Sequence, residues 1–385
     1  MAAPWAAEVV PRGRRRLRGA SLALTLSSHP SREPMDLMPS DHLGAVLDAP
    51  VPPVSTDEVT SLARAHFGLE AVATPLTGER DRNFHLRAAD GGEYVLKVVH
   101  PAEDADVTDF QGQALLHLAE ADPSLPVPRA RLPLAVPYEV PGQPLRLVRV
   151  YSWLPGRPLH LAASSAAQRR NLGTLLARLD LALQGFSHPA QHHVLLWDIQ
   201  HAARARGLLA AIEDPARRAI PERLLDVFEQ KALPVMRNLR KQVIHNDFNP
   251  HNVLADAVED ARIAGVIDFG DMVHAPLVQD LATACAYHVP PEGHPLEGPA
   301  EMAAAFHAVC PLLPEELDIL FDLIAVRGVI SVAISGWRAR LQPENAAYIL
   351  RNAPRSWTGL ERLAAIPRDE ARAIFHAACA RTTAP

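Results

Sequence analysis

Between Val243 and Leu254 an apolar run, Val243-Ile244, leads into a polar loop, His245-Asn246-Asp247-Phe248-Asn249-Pro250-His251-Asn252, and the chain then returns to an apolar run, Val253-Leu254. Two strand-like runs flanking a polar loop fix its ends, and this is how folds present side chains for chemistry. Asp247 and Asn252 stand five positions apart. Further on, Ile263-Ala264-Gly265-Val266-Ile267 has a buried-strand pattern and ends in Asp268-Phe269-Gly270-Asp271. Such paired strand ends need a substantial core behind them. With 385 residues and 48% apolar side chains, the chain can bury one, and at about 100 to 200 residues per domain it has room for two lobes.

The Asp247 to Asn252 spacing matches H-x-D-x-x-x-x-N, in which the Asp orients or deprotonates an attacking hydroxyl and the Asn gives an amide oxygen to a divalent metal. Magnesium prefers such hard oxygen ligands, and Asp268 at its strand mouth reads as the second one. Taken singly, Asp247 reads as a turn or cap residue and Asp268-Phe269-Gly270 as a common tripeptide. Together, between apolar strands, they point to phosphoryl transfer.

Phosphoryl transfer also needs cations on the nucleotide phosphates. The chain has only three lysines, and Lys97 lies on an alternating strand, Tyr94-Val95-Leu96-Lys97-Val98-Val99, where it is expected to hold the α and β phosphates. A helix carboxylate normally holds that lysine. The following helix offers Gln111 and Gln113 instead, with Glu103 as a weaker substitute, so the partner of Lys97 stays open. The turn Thr77-Gly78-Glu79-Arg80-Asp81-Arg82-Asn83 lies where phosphates are covered. Its backbone, Gly78 and Asn83 included, is a candidate cradle, and Arg80 or Arg82 reads as a contact to phosphate or to a substrate carboxylate, or as part of a charged turn.

The chain reads as a β-rich first part and a helical second part. Ser55-Thr56-Asp57-Glu58 starts a helix that Gly68 stops. Strand pieces follow at Leu76, Asn83 to Arg87, and Tyr94 to Val99, after the Asp90-Gly91-Gly92 turn. A helix over Phe110 to Glu120 and a strand over Leu145 to Tyr151 come next, then helices over 165–185, 197–211, 221–239, 300–309, 315–340 and 358–378. The expected fold is α+β and bilobal, with residues 56–148 as an N-terminal antiparallel sheet lobe plus helix and 149–385 as a mainly helical lobe. Residues Arg149 to Leu154, Tyr151 among them, form the expected hinge whose backbone meets the nucleotide base. Residues 1–55 are rich in Pro, Ser and Arg without period and are expected to be a disordered extension, with Met35 or Met38 as an alternative start.

The 44 acidic against 38 basic side chains, a formal charge of -6, give no net positive field for nucleic acid. No run approaches the roughly 18 apolar residues of a transmembrane helix. Arg12 to Leu26 imitates a signal segment, but its apolar part is short and carries Ser and Thr. Cys285, Cys310 and Cys379 lack metal-ligand spacing and fit a reducing compartment, so the cytoplasm is expected. The oligomeric state is left as monomer or homodimer.

These motifs resemble the aminoglycoside phosphotransferase superfamily, small-molecule kinases of protein-kinase-like fold, over residues 56–365. The stretches Leu76 to Phe84, His245-Asn246-Asp247 and Ser331 to Arg338 are more closely similar to hydroxylysine kinases and to kinase domains fused to class III aminotransferases. The resemblance implies Mg²⁺, ATP or GTP as donor, and a small hydroxyl acceptor such as 5-hydroxylysine or a related amino alcohol. An aminoglycoside, homoserine or choline acceptor is the alternative, and an inactive nucleotide-binding pseudokinase is the alternative of another class. It also implies that Asp280 braces the catalytic loop together with His245. Asp271, Tyr287 and Trp337 could cage a substrate ammonium, although Trp337 suits core packing better.

Overall fold

In the computed structural model, residues 52–78 and 80–381 are described. The expected N-terminal extension, with the alternative starts Met35 and Met38, lies outside them apart from residues 52–55. Helix α1 (Thr56–Phe67) opens with a capping box, in which the Ser55 hydroxyl accepts the Glu58 N–H and the Glu58 carboxylate accepts the Ser55 N–H. It closes at Gly68, where φ is 63°, a conformation glycine adopts without steric cost. Val59, Ala63 and Phe67 of α1 are buried.

They face one side of a five-stranded antiparallel sheet made of β1 (Ala71–Leu76), β2 (Arg82–Ala88), β3 (Glu93–Val98), β4 (Val136–Tyr138) and β5 (Arg146–Ser152), in the order β1-β2-β3-β5-β4. Strand parity then sorts the side chains. Leu96 and Val98 enter the core with Phe84, Leu86, Val148 and Val150. Val95 and Lys97 point the other way into a cleft, beside Asn83 of β2 and Arg149 of β5, which pair with Lys97 in register. Because β5 runs to Ser152, Arg149 and Tyr151 belong to the sheet. Helix α2 (Ala105–Ala121) packs across the cleft side and begins at an Asp104 cap, earlier than the apolar spacing from Phe110 suggests.

The rest is mainly helical. A three-stranded sheet joins β6 (Arg157–Pro158), β8 (Val253–Ala255) and β9 (Ile263–Val266), and a two-stranded ladder joins β7 (Lys241–Ile244) to β10 (Val273–Pro276). The α-helices of ten residues or more here are α3 (Ala166–Ala182), α4 (Pro215–Val227), α5 (Leu277–Ala286), α6 (Glu297–Val309), α7 (Pro314–Leu341), α8 (Ala353–Ala364) and α9 (Arg368–Ala380). Helix α7 is apolar nearly all round and is buried from Leu317 to Ile334 at most positions, which places it at the centre of the large core.

Three helices expected from the sequence differ. Residues Ile199–Ala211 form a 3₁₀ helix; Ile199, Ala202, Ala205 and Leu208 are buried at a strict spacing of three, the period of that helix rather than of the α-helix. The helix expected over 221–239 starts earlier, at Pro215 behind an Asp214 cap, and passes through a π turn at Phe228–Ala232. The helix expected over 358–378 is two, because Pro367 lacks the N–H that a continuous helix needs. No helix among the described residues is long and apolar enough to cross a membrane.

Candidate active site

The cleft between the sheet and the helical part has a volume of about 790 Å³. Its floor is the His245–Asn252 loop, whose shape is set from below. Asp280 of α5 is fully buried and accepts the N–H groups of His245 at 2.8 Å and Asn246 at 2.7 Å on its two carboxylate oxygens. Asn246 thereby keeps φ at 62°, a strained value for a residue with a Cβ. His245 is also fully buried. Its Nδ1 accepts the Asp247 N–H at 3.2 Å and its Nε2–H donates to the Ile267 carbonyl at 3.2 Å. Both bonds are made by neutral imidazole, and burial pushes the His245 pKa below its ordinary value.

Asp247 is presented at the top of this loop. The Asn252 amide N–H donates to its Oδ2 at 2.6 Å and to its carbonyl at 3.1 Å. Arg327 of α7 donates to its Oδ1 at 3.2 Å. Burial, and after it the Asp271 charge, push the Asp247 carboxyl up to about 7 against the pull of Arg327. Asn252, having spent its N–H₂ group on Asp247, has its amide oxygen left as an acceptor.

Across the cleft, Lys97 Nζ reaches Asp268 Oδ1 at 3.3 Å and Asp81 Oδ2 at 3.7 Å. Desolvation alone would lower the ammonium pKa; Asp268 and Asp81 reverse this and leave it raised. Lys97 in turn holds the Asp268 carboxyl down at about 2, so that carboxylate stays ionised. Asp268, which lines the cleft, also has positive φ, 63°. The open question of the lysine's partner is thus answered by Asp81 and Asp268. Gln111 of α2 does not reach Lys97: its Oε1 accepts Arg149 at 2.7 Å and its Nε2 donates to the Gly270 carbonyl at 3.3 Å.

The turn before β2 closes the cleft from above. A Cβ on Gly78 would lie 2.5 Å from Asn83 Nδ2 and 2.6 Å from the Asp81 carbonyl, so the tight packing requires glycine there. Arg80 crosses to Asp271 in an ion pair, so these two candidate ligand contacts meet each other. Arg82 is exposed at the start of β2 and is not among the cleft-lining residues. Tyr151, Ser152, Trp153 and Leu154 line the cleft, with Trp153 stacked on His85 at 4.1 Å.

The proposed cage is corrected in one member. Asp271 and Tyr287 line the cleft, but Trp337 packs against the helical core. It lies ten residues along α7 from Arg327, about 15 Å at 1.5 Å per residue. Trp197 takes the aromatic place. Arg327 lies over the Trp197 ring at 5.2 Å and the Tyr287 ring at 5.9 Å. Arg327 and Trp197 carry no recognisable motif. The one signal available was a lone arginine amid the mainly apolar residues 317–334.

An antiparallel sheet facing a helical part across a polar cleft, with a strand lysine on one side and two short strand-held loops on the other, defines a small-molecule kinase. The chain belongs to the phosphotransferase enzyme family APH, whose model matches residues 72–318, more than half of the sequence. It is 27% identical over 337 residues to hydroxylysine kinase of Mus musculus, covering 81% of this chain and 90% of that protein. It is 27% identical over 333 residues to hydroxylysine kinase of Danio rerio, covering 83% and 94%. Among solved structures, a microcompartment-associated aminopropanol kinase superposes with TM-score 0.62 at 17% identity, over 84% of this chain and 99% of that one. An amicoumacin kinase in complex with AMP-PNP superposes with TM-score 0.60 at 15% identity, over 82% and 95%. These likenesses establish the kinase-like fold.

Proposed function

We propose that the protein moves the γ-phosphoryl group of ATP or GTP to the hydroxyl of a small amino alcohol or hydroxy amino acid, with 5-hydroxylysine as the first acceptor to test. The observation that carries this is the pairing of Asp247 with Asn252 opposite the Lys97–Asp268 pair in one cleft. The hydroxylysine kinase relatives support the acceptor class.

The acceptor oxygen attacks the γ-phosphorus, the bond to the bridging oxygen breaks toward the nucleoside diphosphate, and the hydroxyl proton passes to Asp247. A base whose pKa lies near the operating pH is the most effective kind, and burial gives Asp247 that property. Lys97, held between Asp81 and Asp268, holds phosphate oxygens. Tyr151 to Leu154 lie along the cleft where the nucleotide base binds in the proposed hinge role. Turn residues Gly78, Arg80 and Asn83 cover the phosphates.

The residues fit a magnesium ion. Asp268 offers an ionised carboxylate and Asn252 an amide oxygen, the hard donors magnesium takes alongside phosphate oxygens and water. Among the described residues no group of three or more His, Cys, Asp or Glu side chains could hold a metal, which agrees with an ion held largely by the nucleotide. When bound, the ion neutralises charge on the transferring phosphoryl group. The buried cysteines support a reducing compartment such as the cytoplasm.

Purified protein should be offered ATP or GTP with magnesium and a panel of hydroxylysine, homoserine, ethanolamine, choline and aminoglycosides, with the phosphorylated product read by mass spectrometry. Product from hydroxylysine or a related amino alcohol is expected. Product from aminoglycosides alone would overturn the acceptor assignment, and no product from any acceptor would overturn phosphoryl transfer.

A further inference from the structure

Arg327 is 1% exposed in the middle of the mainly apolar α7. A buried guanidinium is costly unless it is paired and its donors are used. Nη1 donates to the Trp197 carbonyl at 2.7 Å, and Nη2 donates to Asp247 Oδ1 and the Tyr287 hydroxyl, each at 3.2 Å. Nε–H is buried, on a residue that lines the cleft, without a partner among the described residues. A native protein rarely leaves such a donor unmet.

Charge balance points the same way. Among the described residues, the carboxylate ion-paired with Arg327 is Asp247. The other carboxylates of the cleft are committed elsewhere: Asp81 and Asp268 to Lys97, and Asp271 to Arg80. Burial pushes the Glu103 carboxyl up to about 7. Among the described residues lining the cleft, Asp81, Asp247, Asp268 and Asp271 are each paired with a cation of this chain, which leaves little acidic surface for a polycation, whereas Arg327 has a donor to spare.

We infer that Arg327 is a specificity-determining residue that binds a carboxylate on the acceptor, so that the enzyme selects hydroxy acids over amino alcohols and aminoglycosides. This rests on the phosphotransferase reading of the cleft. It goes further in naming the group read and the side chain that reads it. The planar fork lets one guanidinium serve Asp247 on one edge and a ligand carboxylate on another.

Calorimetric titration in the presence of magnesium and a non-hydrolysable ATP analogue tests this without turnover. The ligands are 5-hydroxylysine, its decarboxylated counterpart 1,5-diaminopentan-2-ol, and an aminoglycoside. The wild type should bind hydroxylysine about tenfold to a hundredfold more tightly than the decarboxylated compound, the range of a charge-assisted hydrogen bond. Arg327→Gln should bring the two to within about threefold, chiefly by weakening hydroxylysine, and Arg327→Lys should restore part of the preference. Equal affinity of the wild type for both compounds, or tighter binding of the diamine or the aminoglycoside, would overturn the proposal even if the variants fail to fold. An unchanged preference in folded Arg327→Gln would also overturn it. The preference without phosphoryl transfer to hydroxylysine would leave the carboxylate site standing and remove the kinase reading instead.

Discussion

Asp280 Oδ1 lies 2.7 Å from the backbone nitrogen of Asn246, and this bond, with its twin to His245, fixes the backbone that carries Asp247. The loop needs that support because Asn246 sits at positive φ and would relax without it. Asp280→Asn keeps the shape but loses one acceptor, leaving a buried N–H unpaired. That should cost about 1–3 kcal/mol, read as a lower denaturant midpoint, and kcat should fall more than the KM for nucleotide rises. A variant with wild-type kcat would remove Asp280 from this positioning role.

Asp247 and Asp268 face the same cleft but are held in opposite protonation regimes. Asp247→Asn should lower kcat by about 10²- to 10⁴-fold, the usual worth of a general base, while nucleotide binding stays near wild type. Asp268→Asn should weaken magnesium-nucleotide binding, because it removes an ionised oxygen and the counter-charge of Lys97. Fluorescent-nucleotide titration with and without magnesium separates the two. Equal losses of nucleotide affinity in both variants would contradict the division of roles.

Asp247, Asn252, Lys97 and Asp268 were legible in the sequence because local spacing between apolar strands determines where each points. The start of α1 at Ser55 to Glu58 and its stop at Gly68 were legible from local cap chemistry. Arg327 was not, since it meets Asp247 from 80 residues away and only the packing of α7 brings it there. Trp337 and Trp197 are alike by composition, and only the tertiary packing shows that Trp197 lines the cleft while Trp337 lies farther along α7 against the core. The 3₁₀ helix at Ile199–Ala211 has its burial period in plain view, yet an Ala- and Leu-rich segment reads as an α-helix until something shows which residues are covered. Gln111 read as a departure from the kinase pattern. It is matched by Arg149, whose place beside Lys97 follows from strand register that sequence does not supply.

That match makes a prediction against the motif. Gln111→Glu restores the carboxylate expected on this helix and would pair with Arg149. It also removes the amide N–H₂ that donates to the Gly270 carbonyl and sets a carboxylate oxygen against that carbonyl. The site is nearly fully buried, so the loss should dominate, with a destabilisation of about 1–3 kcal/mol in chemical denaturation. Nucleotide affinity should change little, since Lys97 is held by Asp81 and Asp268. A stabilised variant with tighter nucleotide binding would show that Gln111 acts on Lys97 after all.

His245 links loop geometry to pH. Its folded-state pKa is below the unfolded value of about 6.5, so the unfolded chain binds the extra proton first as pH falls. The contribution of neutral His245 to stability is therefore fully present above about pH 6.5 and is lost progressively as pH drops toward the lowered folded value. Protonation would also put a donor on Nδ1 facing the Asp247 N–H. Between pH 7.5 and 5 the denaturant midpoint of the wild type should fall. His245→Gln, which keeps a donor for the Ile267 carbonyl but cannot titrate, should be less stable at pH 7.5 and should lose less on acidification. Parallel pH profiles for the two proteins would show that His245 does not set the acid limit of the fold.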